Sequence, residues 1–307
     1  MDGQLMNDEN DKLKNLARLM QGVIRQDYPA STLYVMATPI GNAADISLRA
    51  LHILSLVDAV ACEDTRITGT LLAQYGLSKE LIATHQHNER RMTDQLIQRL
   101  ARGEKIALVS DAGTPAISDP GYLLVDAVRS AGFRVIPVPG TSAAIAALSA
   151  GGLPADHFYF AGFLSAKTAA RETALKLLEN MPATLVIYEA PHRIKETLAS
   201  LYTVFGPERR IVIAREITKL FEEIHGCRLS EAQSWLDADP NHARGEFVLL
   251  VEGQPSGMDK DEIEAARILS ILLAECPVSQ AASLAAKITG IKKNRLYDQA
   301  LRMKDEI

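Results

Sequence analysis

Residues 104–132 read EKIALVSDAGTPAISDPGYLLVDAVRSAG. Ile106–Val109 is apolar enough for a buried strand, and a helical pattern resumes near Tyr122. The twelve residues between, Ser110 to Gly121, hold two Asp, two Pro and two Gly and almost nothing bulky. Proline fixes φ and keeps such a segment from becoming helix, and glycine lets a backbone be approached closely. Asp119, just ahead of Pro120-Gly121, reads as the cap of the following helix.

Outward from this stretch, short strand-like runs alternate with helical ones. Leu33–Ala37, Ala59–Cys62, Ile106–Val109 and Arg134–Pro137 read as strands; Leu48–Leu56, Thr68–Gln74, Met92–Ala101, Tyr122–Ser130 and Ser142–Ala150 read as helices. Strands separated by helices of this length predict crossover units and a mainly parallel sheet. The chain pauses at Gly151-Gly152-Leu153-Pro154, and a second series begins at Phe158–Phe163. Thr184–Tyr188, Arg210–Ala214 and Glu246–Val251 continue it, with Lys219–Gly226 as a further strand and Ser230–Leu236 as a helix. The predicted class is α/β: an arm over 1–31, α/β domains over 32–152 and 153–256, and a helical tail over 257–307. The arm shows only a weak helical pattern and is expected to be mobile or frayed.

The 307 residues carry a net charge of -5, with pI about 5.9, so nucleic-acid contact would need a local basic patch. Cys62, Cys227 and Cys276 lie far apart and make no disulfide framework or zinc pair. No run of eighteen apolar residues exists and the N-terminus is polar and acidic, which predicts a cytoplasmic protein with no membrane partner. GxxxxGK[ST], a GxGxxG following a strand, HExxH and GxSxG are all absent.

Further unusual strand ends accompany the first: YVMATPIGN (34–42), VIYEAPHR (186–193) and IAREITKLFEE (213–223), with VPGTSAAIAAL (138–148) between the domains. Small residues at several such ends leave a hollow lined by backbone N–H and C=O groups, which suits an adenosine-like ligand without phosphate cradle or metal. Candidates for proton transfer are Glu63, Asp64 and Arg66 in CEDTR, and His85, His87, Asn88 and Glu89 in HQHNE. Arg66 either holds a phosphate or forms a structural pair with Asp64. No third ligand is spaced to join the two histidines on a metal. His192 and Arg193 stand at a helix start, where a cation opposes the helix dipole. Either RNA phosphate favours them there or Arg193 reaches Glu196. Arg215 and Lys219 face either substrate or Glu222 and Glu223. In the tail, Lys287, Lys292, Lys293, Arg295, Arg302 and Lys304 stand against one acid, Asp298, around a turn at Gly290. This is a helix-turn-helix pattern with a basic face; a packing or dimer-forming hairpin is the other reading.

TPIGN, CEDTR, HQHNE, VSDAGTPAISDPG, VPGTSA, YEAPHR, REITKLFEE and GEFVLLVEG occur in one order and spacing. Together they resemble the RsmI family of small-subunit rRNA 2′-O-ribose methyltransferases, of the tetrapyrrole-methylase-like class. The resemblance implies S-adenosylmethionine in a cleft between two α/β domains. It implies cofactor contacts from Pro39, Gly41, Ser110, Asp111, Gly113, Thr114, Ala116, Ile117, Ser142, Ala143, Tyr188, Glu189, Gly245 and Glu246. Thr114 stands where tetrapyrrole methylases carry Asp. The implied substrate is a decoding-centre cytidine of 16S rRNA in the small subunit, not DNA, and the implied assembly a homodimer. Two other readings remain: a tetrapyrrole-type small-molecule methylase, which the basic tail and few aromatics disfavour, and a non-catalytic RNA-binding protein with a vestigial cleft.

Overall fold

The computed structural model describes residues 14–15, 17–84, 89–254 and 260–305, excepting the side chains of 89–91, 260–264, 302 and 304–305. Its first five strands are β1 (Thr32–Met36), β2 (Ala59–Cys62), β3 (Glu80–Ala83), β4 (Lys105–Val109) and β5 (Arg134–Val138). They form one sheet in the order β3-β2-β4-β1-β5, and every pairing is parallel. A parallel sheet is covered on both faces, and the strand residues show it by their alternation. Tyr34, Met36, Val60, Cys62, Ala107 and Val109 join Ile53, Leu54 and Leu72 of α1 (Leu48–Leu56) and α2 (Thr65–Gln74). Leu33, Ala59, Ala61, Ile106 and Leu108 point the other way. They meet Leu96, Leu100, Leu124 and Val128 of α3 (Glu89–Ala101) and α4 (Tyr122–Ser130).

This arrangement makes a switch point. The chain leaves β1 for the α1 face and leaves the neighbouring β4 for the α4 face. Their loops therefore diverge at the carboxyl edge of the sheet, where open α/β folds hold ligands. β3 was not legible as a strand: it is a four-residue edge, ELIA, with one residue fully buried. The end of the arm takes up the weak helical pattern of its sequence. Residues 17–24 are helical, and Tyr28 packs edge-on to His52 at 5.0 Å, joining the first core.

α5 (Ala143–Gly151) ends on Gly152, whose left-handed φ of 67° turns the chain into the second series. That series is β6 (Phe158–Phe163), α6 (Thr168–Lys176), β7 (Thr184–Glu189), α7 (Ile194–Phe205), β8 (Arg210–Arg215), β9 (Glu223–Arg228), α8 (Leu229–Ala238) and β10 (Phe247–Val251). The sheet order is β6-β7-β10-β8-β9. Only β6 and β7 pair in parallel; β10 runs antiparallel between β7 and β8, and β9 folds back on β8. The expected mainly parallel sheet thus holds for the first domain alone. In the second, the seven residues between β8 and β9 are too few for a crossover helix, so the strand returns antiparallel. Ala144, Ala147 and Leu148 of α5 pack on Val186, Val212, Val248 and Leu250, so a helix that follows the first sheet covers one face of the second.

The helical unit comprises α9 (Lys260–Glu275), α10 (Val278–Thr289) and α11 (Lys293–Asp305) around Leu269, Ala281, Ala285, Leu296 and Ala300. Small alanines let α10 lie close to its neighbours, and Gly290 at φ 76° closes it.

Candidate active site

Three loops leave the carboxyl edge of the first sheet, and hydrogen bonds knit them together. Thr38 and Gly113 form an isolated antiparallel bridge, with N–H···O distances of 2.9 and 3.0 Å. The Thr38 hydroxyl donates to the Ser110 carbonyl at 3.0 Å, and the Thr141 hydroxyl donates to the Thr38 carbonyl. Thr114 closes the ring by donating to the Thr141 carbonyl at 3.0 Å. Gly113 takes φ 78°, and a Cβ there would come 3.4 Å from Ile40, so the bridge needs this residue's freedom. Asp111 reaches sideways and accepts from the Asp64 N–H at 3.1 Å, which fixes CEDTR against the same loop.

Facing these loops is the segment between β8 and β9. Glu216 takes φ 51° and Thr218 φ 68°; on the opposing loop Ala116 takes 65° and Ser118 66°. Of the five non-glycine residues with positive φ among the described residues, these four lie on two loops. Such strain persists where surroundings over-determine it, and it gathers at functional sites. The restraints are visible. The Glu216 carboxylate accepts from the Glu246 N–H and from Lys219 Nζ, at 2.9 and 2.8 Å, and Lys219 also bonds Glu246 at 2.8 Å. A Cβ on Gly245 would fall 2.3 Å from Glu216, and one on Gly41 would fall 2.5 Å from Lys219. Both glycines make room for this ion cluster, and through Gly41 the second domain closes on the first.

Between the loops lies a cavity of about 410 Å³. Of the residues expected to contact a cofactor, Asp111, Gly113, Thr114, Ile117, Ser142, Ala143, Tyr188, Glu189 and Glu246 line it. Pro39, Gly41 and Gly245 do not, although Ile40 does; Ser110 faces a small side pocket and Ala116 an open depression behind the loop. Six acidic residues and one basic residue, Lys219, line the cavity. Such a site favours a cationic ligand, and its size suits a nucleoside-sized one.

The proton-transfer candidates separate. Glu63 lines the cavity. Asp64 is instead the N-cap of α2 and accepts from Arg66 N–H and from the Arg66 guanidinium, at 2.8 and 2.6 Å. Arg66 holds its pKa down to about 2, which makes it a poor base. The Arg66 side chain is 88% exposed. His85, His87 and Asn88, and the side chain of Glu89, lie outside the described residues.

Two expected RNA contacts are turned inward. Arg193 donates to the Leu164 carbonyl at 2.5 Å and lies 3.3 Å from Glu189, unaligned for a hydrogen bond there. Arg215 bonds the Asn241 carbonyl and Glu223, each at 3.0 Å. Glu189 is buried and Glu223 partly exposed, and both arginines are themselves largely buried, so they are held within the fold rather than presented to solvent. Lys219 is engaged as described. His192, Lys287, Lys292, Lys293 and Arg295 are exposed, the last three at the α10–α11 turn or the first turn of α11.

Asp119 does not cap the helix that follows, contrary to what its place before Pro120-Gly121 predicts: the N-cap of α4 is Gly121, with no side-chain bond. The carboxylate lines the cavity instead. Desolvation pushes its pKa up against the pull of Ser110, and Asp111 adds to the rise. Also missed were Phe163, Glu216 and Phe247. For Phe163 the available signal was Gly162, a glycine inside a strand, which marks a bulge.

The sequence profile described as Tetrapyrrole (Corrin/Porphyrin) Methylases matches residues 32–233, and one described as RsmI C-terminal HTH domain matches 259–304. Ribosomal RNA small subunit methyltransferase I of Pseudomonas aeruginosa is 53% identical over 89% of this chain and 98% of its own length. The protein of the same name from Escherichia coli O157:H7 is 50% identical over 90% and 96%. Among solved structures, the uroporphyrin-III-C-methyltransferase of Thermus thermophilus is similar in fold, with TM-score 0.51 and 24% identity over 74% of this chain and 96% of its own. Diphthine synthase gives TM-score 0.56 and 16% identity over 72% and 89%. The protein is thus a methyltransferase of the tetrapyrrole-methylase type, with S-adenosylmethionine as methyl donor. More narrowly, the chain belongs to the ribosomal RNA small subunit methyltransferase I family.

The raised pKa of Asp119 makes a prediction. Above that pKa the folded state must carry a charge it disfavours, a penalty that disappears as pH falls through it toward the ordinary value of about 3.9. Asp119→Asn keeps an acceptor for Ser110 and removes the penalty. The variant should melt higher than the parent at pH 8, with the gap closing as pH falls below about 4. A variant that melts lower at pH 8 would show the carboxylate to be favourably held.

Proposed function

We propose that this protein methylates the ribose 2′-hydroxyl of a decoding-centre cytidine in 16S rRNA of the small ribosomal subunit. The observation that carries the reading is the relative of that family covered over 98% of its length, through both cavity-lining domains and the basic helical unit. The donor supplies an electrophilic methyl on a positive sulfonium, and the acid-lined cavity fits that charge. Backbone at Gly113–Thr114 and Ser142–Ala143 from the first domain, with Glu246 from the second, would hold it. Asp111 keeps its second task of positioning Glu63 through the Asp64 N–H.

In the reaction the 2′-oxygen forms a bond to the methyl carbon as the carbon–sulfur bond breaks, and the hydroxyl proton leaves. Glu63 is the described carboxylate of CEDTR open to the cavity and is the proposed acceptor; His87 and Glu89 belong to the same proposal. Asp64 and Arg66 hold the start of α2. Alignment by these groups can supply on the order of 7–11 kcal/mol of the barrier. Lys287, Lys292, Lys293 and Arg295 would meet RNA phosphate, as would exposed His192. No helix among the described residues is long and apolar enough to cross a membrane, and the proposed substrate places the protein in the cytoplasm.

We also propose a homodimer, supported by exposed Tyr122 and Leu123 beside the open depression at β1 and β5. Light scattering at micromolar concentration should give twice the chain mass; the mass of one chain would refute it.

Labelled methyl transfer to small subunits lacking the modification tests the activity. After alkaline hydrolysis the label should survive in a dinucleotide, because a ribose methyl protects the adjacent phosphodiester. Label on a base would overturn the 2′-O assignment. A chain ending at residue 256 should keep donor affinity and lose subunit affinity. Unchanged subunit binding would remove the role given to the helical unit.

A further inference from the structure

β6 carries an irregularity with a consequence for the substrate. Its register against β7 shifts between Phe160, opposite Val186, and Gly162, opposite Ile187. In an unbroken strand, residues 160 and 163 would face opposite sides of the sheet. Here the extra residue puts both rings against one side chain: Phe160 and Phe163 meet Tyr188 edge-on, at 5.0 and 5.6 Å. A bulge that re-aims a side chain is a common device beside active sites. Gly162 supplies the φ of 63°, and a Cβ there would come 3.2 Å from Ser118 Oγ, so the first domain's strained loop closes on the bulge.

The two rings then differ. Phe160 is half-buried in the second core. Phe163 lines the cavity while remaining 56% exposed, and Ile117, next to Ser118, lines the same cavity at 46%. The seam between the domains thus ends in a flat apolar face that is aimed, braced and left wet. Tyr188 beneath it is fixed, its hydroxyl accepting from the Ala144 N–H at 3.1 Å.

We propose that Phe163 is the stacking platform for the base of the nucleotide that accepts the methyl group. This rests on the reading of the substrate as RNA. For a ribose 2′-oxygen to enter the cavity, the nucleotide must leave its own stack, and its base then stands at the mouth. Carboxylates there draw a cationic donor but give a neutral base no surface. Recognition of splayed RNA bases by aromatic rings is general, and loss of one such ring costs about 1–3 kcal/mol, or roughly 5- to 150-fold.

The test compares Phe163→Ala, Phe163→Leu and Phe163→Tyr with the parent, in methyl transfer to unmodified small subunits and in calorimetry with S-adenosylmethionine. Ala and Leu should each lower kcat/KM for the subunit by between about 5- and 150-fold, with donor affinity unchanged; Tyr should restore most of the loss. Thermal melting of each variant reports folding separately. If Leu matches the parent, the side chain only fills space; if donor affinity falls with Ala, the ring serves the donor's adenine. Either result overturns the proposal. A parent enzyme that labels no subunit would instead remove the RNA reading itself.

Discussion

The site is built around the bridge between Thr38 and Gly113. Two parallel neighbours, β1 and β4, send their chains to opposite faces of the sheet, leaving backbone groups at their ends without a ladder. Orphaned backbone polar groups away from water cost about 1–3 kcal/mol each, so the loops must satisfy one another. They do so through the bridge and through the hydroxyls of Thr38, Thr114 and Thr141. Because small side chains and backbone complete this network, the space beyond it stays open. The loop around Gly113 is therefore both a structural knot and one wall of the cavity.

The opposite wall is held by charge. Glu216, Lys219 and Glu246 interlock, with Gly245 and Gly41 leaving the necessary room. These bonds are partly screened, and singly would be worth little. Their effect here is geometric: they hold Glu216 in its left-handed conformation, as Glu222 does Thr218 by accepting from its N–H, and they keep the second domain seated on the TPIGN loop. Strain on both walls faces the same hollow, which separates a built site from a chance gap.

Much of this was legible because the signals were local. Alternating apolar runs gave the first domain's strands other than β3, and the small-residue loops pointed to a cavity at their ends. The second sheet's strands were legible but their antiparallel direction was not, since β8 and β10 are apolar on both faces whichever way they run. Pairwise geometry was also hidden. Nothing in the sequence says that Gly41 accommodates Lys219 rather than a ligand, or that Arg193 turns inward to Glu189 rather than to Glu196; for Arg215, Glu223 is one of the two partners its loop offers. Asp119 read as a cap because Asp-Pro-Gly before a helix usually is one; here the strained Ala116–Ser118 segment carries it to the cavity. Thr114 finds its use in the Thr141 carbonyl.

The hollow between the two α/β domains is the proposed seat of the methyl donor. A crystal structure grown with S-adenosylmethionine, or with its demethylated product, tests this most directly. Ligand density is expected against the backbone at Gly113 and Ser142 on one side and Glu246 on the other, with the Thr38–Gly113 bridge intact. A ligand bound elsewhere, or a hollow closed over by Thr114 and its neighbours, would contradict it.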